Sequence, residues 1–512
     1  MRTLAACSLI FLAATSRADD LADAIKKITD VPAYQSARWG LLVVDAATGA
    51  TVYEREADKL FTPASTTKLY TCATALAELG PDHRFRTPVR RRGDVVDGVL
   101  KGDLILVASG DLTMGGRRGK DGRTMFMNSD HTYAGPGPSQ ALLTDTNPTY
   151  ALDELAKQVK AAGILEVTGD VLIDERLFGR AKSSGSGPDT VSAIVINDNV
   201  IDIHVAPGKA DGDPPTVTVR PETAFVKLNA QVKTGPADGS ASVSLAVSGN
   251  QLTVRGTVPA GGKPQVRIHL VDDPAAFAHT LFTEALRRAG VKVAGVQLRV
   301  RGGGLPDRAA VAKLPKVAEY ESEPLADVVK VILKVSHNLY ASTLPILVGL
   351  KHDGGAIPRG LEQQAKMLKG LGIDPATVSF AGGAGGAQAD AATPRTTVAL
   401  LRAMAKHAAA KPYFDALPVL GVDGTLAGVV PKDSPAYGKC RAKTGTLSWH
   451  DAQNDRLLMR SKALAGELTT AKGTKLYFAV FLNDVALPPG GTTTEQGKVL
   501  GKVAEAIHVH GP

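Results

Sequence analysis

The sequence predicts an α/β (α+β) chain in which both ends build one mixed domain and a large, mostly β region is inserted between them. Three observations carry this. Helix-period and strand-period segments alternate near both ends. Short β-type runs broken by Gly and Pro fill residues 89–317. At 512 residues, the chain exceeds what one hydrophobic core supports.

The first segment reads as a secretory leader: Arg2, an apolar run from Leu4 to Ala14, and the small-x-small triplet Ser16-Arg17-Ala18 before Asp19. It predicts a signal peptide over residues 1–18, cleaved near Ala18, and an exported mature chain. Leu4-Ala5-Ala6-Cys7 has the form of an acylation site, but almost no hydrophobic segment precedes it. Without the leader, Cys72 and Cys440 remain, too few for a disulfide framework, and their pairing is open.

Trp39–Asp45 and Ala50–Glu54 predict two strands around the turn Ala46-Ala-Thr-Gly49. From Ser65, apolar residues at Leu69, Cys72, Ala73, Leu76 and Leu79 keep helical spacing until Gly80-Pro81, with Pro63 just ahead. Ser65 is thereby placed at or within the first turn of a helix of about four turns. In the inserted region, strands are expected at Gly102–Ala108, Val167–Ile173, Val191–Val205, Thr216–Arg220, Ala241–Val247 and Val266–Leu270, with helices at Leu152–Ala162 and Ala275–Ala289. Two subdomains are expected there, and Arg117–Pro148 reads as a long loop. The expected joints put residues 19–88 and 318–512 in the outer domain. There, helices at Leu325–Leu333, Leu339–Val348, Thr396–Ala409 and Val499–Ile507 accompany strands at Cys440–Leu447 and Lys475–Leu482.

The net charge of +8 is modest, with clusters at Arg90-Arg91-Arg92 and at Arg117, Arg118 and Lys120. They read as a solvated basic surface or as peripheral attraction to an anionic wall or membrane surface. No nucleic-acid motif accompanies them. There is no HExxH, the 11 histidines are scattered and no phosphate-binding glycine loop is complete, so no metal or other cofactor is expected.

Ser65 and Lys68 are three residues apart, a spacing that puts both side chains on one helix face. A serine hydroxyl becomes a nucleophile when a neighbouring base takes its proton, and a lysine depressed by burial is such a base. The spacing alone is weak, since about one or two matches arise by chance in a chain this long. Two later segments add weight: Ser336-His-Asn338 between two helical stretches, and Lys443-Thr-Gly-Thr446 on a strand, where Gly445 is the residue type that admits a substrate backbone.

In the order S-x-x-K, S-x-N, K-T-G, these segments resemble the penicillin-binding proteins and serine β-lactamases. The long separation of Ser65 from Ser336, filled by the β-rich region, is similar to the class C low-molecular-mass penicillin-binding proteins, the D-alanyl-D-alanine carboxypeptidase/endopeptidases of peptidase family S13. Phe61-Thr-Pro-Ala-Ser65, Gly102-Asp-Leu-Ile-Leu, Ser336-His-Asn-Leu-Tyr-Ala341, Pro418-Val-Leu-Gly-Val-Asp-Gly-Thr-Leu426 and Arg441-Ala-Lys-Thr-Gly-Thr446 extend the match.

The resemblance implies a β-lactamase/transpeptidase-like catalytic domain, a periplasmic location, peptidoglycan stem peptides ending in D-Ala-D-Ala as substrate and β-lactams as covalent inhibitors. By position, it implies that Ser65 attacks the peptide carbonyl, Lys68 accepts its proton, Ser336 relays a proton to the leaving amine and Asn338 orients Lys68 and the substrate. Lys443 and Thr444 would hold the terminal carboxylate, and the backbone N–H groups of Ser65 and Thr446 would form the oxyanion hole. Each such donor typically contributes about 2.7–4 kcal/mol to the transition state.

Three departures stand out. The family's acidic and hydroxyl-bearing run ahead of a Thr-Pro is here Ala381-Gly-Gly-Ala-Gly-Gly-Ala387, which reads as a flexible glycine loop or as a site wall that has lost polar contacts. His337 takes the place of the more usual Asp and is expected to point away from the cleft. Trp449–Arg460 is inserted after the K-T-G strand and could reshape the entrance. A serine β-lactamase and a catalytically silent wall-binding protein are the competing readings. Against the first, the one glutamate between Leu339 and Ala442, Glu362, lacks the sequence context of a deacylating base. Against the second, the Ser, Lys, Ser, Asn, Lys and Thr of the three motifs are intact.

Overall fold

The structure, a computed structural model, describes residues 20–135, 140–293 and 304–512. The expected leader and Cys7 lie outside the described residues. The chain divides into two compact units. One takes the N-terminal part through Pro81, the short segment Ser183–Gly187, and Val329–Pro512; the other takes Asp82–Lys182 and Pro188–Val328.

The first unit is built on an antiparallel sheet of β1 (Arg38–Asp45), β2 (Thr51–Arg55), β3 (Cys440–Asp451), β4 (Arg456–Thr469) and β5 (Lys475–Ala486), in the order β3-β4-β5-β1-β2. β1 and β5 are central, and their runs Gly-Leu-Leu-Val-Val and Leu-Tyr-Phe-Ala-Val-Phe-Leu are buried throughout because both faces of the sheet are covered. On one face, Leu464, Val480 and Leu482 share a core with Leu21 and Ile25 of α1 (residues 20–29) and Leu500, Val503 and Ile507 of α6 (Thr493–His510). On the other, the Phe61 ring stacks on Phe481 and lies over Gly40, where a Cβ would meet the ring at 2.3 Å. β3 is an edge strand of this sheet, which leaves one side of it open for a ligand.

Behind the edge runs α2 (Thr67–Leu79), buried from Thr67 to Leu76 and closed by Gly80 at φ 90°. Ser65 lies at its start, in the 3₁₀ turn Ala64–Thr66 that runs directly into the α-helix. α3 (Leu325–Val335), α4 (Asn338–Leu350) and α5 (Pro394–Met404) appear close to where their periodicity predicts them. β4 was not legible, because Arg460, Lys462 and Gly466 interrupt its apolar alternation. It makes Trp449–Arg460 the tip of a continuous β3–β4 hairpin, paired from Cys440–Leu468 to Asp451–Arg456 with one register shift after Leu447. Cys72 and Cys440 are both buried free thiols.

The second unit holds a mixed sheet in which Val99–Val107 and Arg86–Val96 form the central hairpin, and two three-stranded sheets. Arg86–Val96 also pairs with Lys316–Glu321, so residues on either side of the expected joints at 88 and 318 are held in one sheet. Strands Arg86–Val96, Lys227–Gly235 and Gln251–Pro259 add to those predicted. The run expected as one strand from Val191 to Val205 is instead a turn followed by Val200–Ala206, because Asn197, Asp198 and Asn199 all adopt left-handed φ between 47° and 57°.

The basic clusters are not simply solvated. Arg117 is 4 % exposed and donates to Asp130 (2.8 Å) and Asp198 (2.7 Å). Arg118 pairs with Glu323, and Arg92 with Asp103. The segment read as a loop, Arg117–Pro148, thus supplies a buried ionic knot: His131 bridges Asp202 (2.5 Å) and Asp198 (2.7 Å), and Arg220 also reaches Asp202.

Candidate active site

The turn Ala64–Thr66 is tight, with Ala64 at φ 46°, and it projects Ser65 at the start of α2. One turn on, the Lys68 side chain is 0 % exposed. Its Nζ lies 2.8 Å from Ser65 Oγ, 2.8 Å from Asn338 Oδ1 and 2.6 Å from the Ala384 carbonyl oxygen. An ammonium donates to all of them. A neutral amine donates to Asn338 and Ala384, leaving its lone pair for the Ser65 hydroxyl proton. Burial pulls the Lys68 ammonium down to about 7, against opposing contributions from Cys72 and Asp390. An amine that titrates near neutrality is suited to general-base work.

Asn338 opens α4, and the helix is capped by its neighbour. His337 Nδ1 accepts from the Tyr340 N–H at 3.3 Å, and the two rings stack with centroids 3.7 Å apart. His337 is thus committed to holding the helix start that presents Asn338. Ser336, just before, has φ 63°. A non-glycine residue held there costs about 1–3 kcal/mol, a cost that persists where surrounding structure dictates the conformation. Its Oγ accepts from Lys443 Nζ at 2.9 Å.

On β3, Lys443 is 0 % exposed, and its ammonium also donates to the Thr444 carbonyl at 2.6 Å. Burial, followed by the neighbouring Lys68 charge, holds it well below the ordinary lysine range. Thr444 Oγ1 donates to Thr425 Oγ1 at 2.7 Å, and Thr446 Oγ1 accepts from Lys462 Nζ at 2.9 Å. Gly445 is required by the protein's own backbone rather than by a substrate's: a Cβ there would meet the Pro63 carbonyl oxygen at 2.6 Å. This close packing docks the Ser65 turn against β3. The motif residues Ser65, Lys68 and Asn338 therefore form one hydrogen-bonded group and Ser336 with Lys443 a second, joined at Ser336–Asn338. Thr444, Gly445 and Thr446 line the adjoining strand.

The glycine run 381–387 is a packed layer, not a flexible loop. A Cβ at Gly385 (φ 78°) would lie 2.0 Å from the Ala64 carbonyl oxygen, and one at Gly386 would lie 2.2 Å from the Ser186 backbone nitrogen. The run is pressed between the Ser65 turn and the segment Ser183–Gly187, and only glycine fits both contacts. Asp390 closes it, accepting from the Ala381 and Ala387 N–H groups at 2.8 and 3.0 Å. Burial raises the Asp390 carboxyl, while the two backbone donors oppose that rise. The reward for this packing is the fixed Ala384 carbonyl on Lys68.

Sequence reasoning missed Ala384, Asp390, Lys462 and Ser183–Gly187. Ala384 acts through its backbone, which leaves no side-chain signal. The Ser-Gly-Ser-Gly run at 184–187 was visible but lay far from the motifs. Glu362 lies on the exposed side of the helix Ile357–Gly370, paired with Arg359. Among the described residues, no His, Cys, Asp and Glu group could hold a metal ion, and no helix is long and apolar enough to cross a membrane.

Comparison with known proteins agrees with this architecture. The chain is 30 % identical over 478 residues to a D-alanyl-D-alanine carboxypeptidase of Actinomadura sp., covering 88 % of this chain and 80 % of that one. It is 24 % identical over 436 residues to the D-alanyl-D-alanine carboxypeptidase DacB of Haemophilus influenzae, covering 82 % and 80 %. The crystal structure of penicillin binding protein 4 from Haemophilus influenzae superposes with a TM-score of 0.67 at 20 % identity, covering 94 % of this chain and 97 % of that one, so the fold is shared. The model of the D-Ala-D-Ala carboxypeptidase 3 (S13) family matches residues 21–500, and the chain belongs to that family.

Proposed function

We propose that the protein is a serine-type D-Ala-D-Ala carboxypeptidase/endopeptidase that cleaves peptidoglycan stem peptides through an acyl-serine intermediate and is acylated by β-lactams. The observation that carries this is the buried Lys68 amine, pulled to about 7 and 2.8 Å from Ser65 Oγ. Neutral Lys68 takes the Ser65 proton as Oγ bonds to the carbonyl carbon of the penultimate D-Ala. Backbone N–H groups of Ser65 and Thr446 receive the oxyanion. The C–N bond then breaks, and the leaving amine receives its proton from Lys68 by way of Ser336. Asn338 orients Lys68 and the substrate amide, while Lys443 and Thr444 act at the terminal carboxylate. Water, deprotonated by the same lysine, releases the product and restores Ser65.

The leader-like residues 1–18 support export to the periplasm, which suits a wall substrate. The net charge of +8 favours peripheral contact with anionic wall or membrane components. Neither nucleic acid nor a metal enters this scheme.

The test is covalent labelling. Mature wild-type protein incubated with a fluorescent penicillin is expected to form an adduct that persists for minutes or longer, and Ser65→Ala none. Absence of any adduct overturns the acyl-serine reading in favour of a silent wall-binding protein, and rapid turnover of the label points to a β-lactamase. Digestion of purified muropeptides resolves carboxypeptidase from endopeptidase products.

A further inference from the structure

A carboxylate-terminated substrate needs a cation that is both charged and reachable. Lys68 and Lys443 are each 0 % exposed and donate to groups inside the protein, Lys68 to Ser65, Asn338 and Ala384 and Lys443 to Ser336 and Thr444. The oxyanion-side strand residue Thr446 tells a different story. It sits directly opposite Lys462 in the β3–β4 register, and its hydroxyl accepts from the Lys462 ammonium at 2.9 Å.

Lys462 is only half-buried. Its Cε and Nζ run past Gly497 on α6, where a Cβ would stand 3.3 and 3.4 Å from those atoms. The helix thus leaves a channel for the lysine stem and delivers its head to Thr446. Among the described residues, Lys462 has no carboxylate partner, so its charge is uncompensated beside the open edge of the sheet. Burial lowers it to about 8, which leaves it mostly protonated at neutral pH.

Building on the acyl-serine reading, we propose that Lys462 is a specificity-determining residue: its ammonium, held on the Thr446 hydroxyl, is the counter-ion of the substrate's C-terminal carboxylate. Lys462 thereby adds a second cation to the subsite of Lys443, whose ammonium is also bonded to Ser336. The carboxylate docks against the Thr444 and Thr446 hydroxyls with Lys462 behind them, so the strand that supplies the oxyanion N–H also reads the substrate's end.

The test compares a penicillin with its methyl ester, which differ in that carboxylate alone, as acylating agents of wild type, Lys462→Met and Lys462→Arg. Lys462→Met is expected to lower the second-order acylation constant for the acid by about tenfold or more, the scale of one charge-assisted hydrogen bond. The same variant should leave the ester within about twofold, and Lys462→Arg should restore the acid. An equal fall for acid and ester means a structural role and overturns the proposal, as does an unchanged acid rate. If wild type forms no adduct with either compound, it is the acyl-serine reading itself that fails.

Discussion

Each unit of the molecule buries a cluster of charged side chains, and the two clusters are built on opposite rules. In the second unit, Arg117, Arg220 and His131 face Asp130, Asp198 and Asp202, each cation within hydrogen-bonding distance of a carboxylate. In the first, Lys68 and Lys443 are buried near each other, and among the described residues neither has a carboxylate in contact. Charges that balance stay charged: burial alone would push the His131 imidazole down, yet Asp202, Asp198 and Asp130 outweigh it and raise it to about 10. Charges that do not balance are surrendered, and Lys68 falls to about 7. The difference teaches where to look for chemistry in a large basic chain: a matched knot holds the fold, while an unmatched buried amine is ready to move a proton.

The comparison breaks if the two clusters respond alike to mutation. Lys68→Ala is expected to reduce penicillin acylation by about 10²–10⁴-fold, the usual worth of a general base. Thermal unfolding of the same variant should be unchanged or slightly raised, because an uncompensated buried amine is removed. Asp130→Ala should do the reverse. Leaving Arg117 short of a carboxylate costs about 3–5 kcal/mol of stability, read by urea denaturation, while the acylation rate of the folded fraction stays near wild type.

The pH dependence of stability sharpens the contrast. The folded His131 sits above its unfolded value of 6.5, so its contribution is fully present below that pH and is lost as the pH climbs towards about 10. Denaturation midpoints should fall across this interval in wild type and fall less in His131→Gln. The smallest effect belongs to Asp390, whose charge helps Lys68 keep its proton. Asp390→Asn should shift the rising limb of the acylation profile to lower pH, and it keeps only one of the two N–H bonds, because Ala381 and Ala387 donate to different carboxylate oxygens and the amide offers one.

The motif residues were legible because their chemistry resides in side-chain identity and order. The hairpin β1–β2, α2 and its glycine stop followed from periodicity and turn chemistry. What was hidden acts through space or through backbone. The glycine run 381–387 looks empty in sequence, yet its glycines are dictated by neighbours at Ala64 and Ser186 that lie hundreds of residues away. Arg117 looks like a surface charge until Asp130 and Asp198 are folded around it. Lys462 lay on a strand whose charges disguised it, although those charges are the reason the strand matters to the site. Gly445 was legible as a position of close approach, but the approaching backbone proves to be the turn that carries the serine.

The central claim is that burial has made Lys68 a neutral base beside Ser65, and the acylation rate as a function of pH tests it most directly. Measured with the penicillin methyl ester, to leave carboxylate recognition aside, the second-order constant should rise with a midpoint near pH 7 and then level off. A rate that climbs without a plateau until about pH 10, as an ordinary lysine would give, contradicts the account.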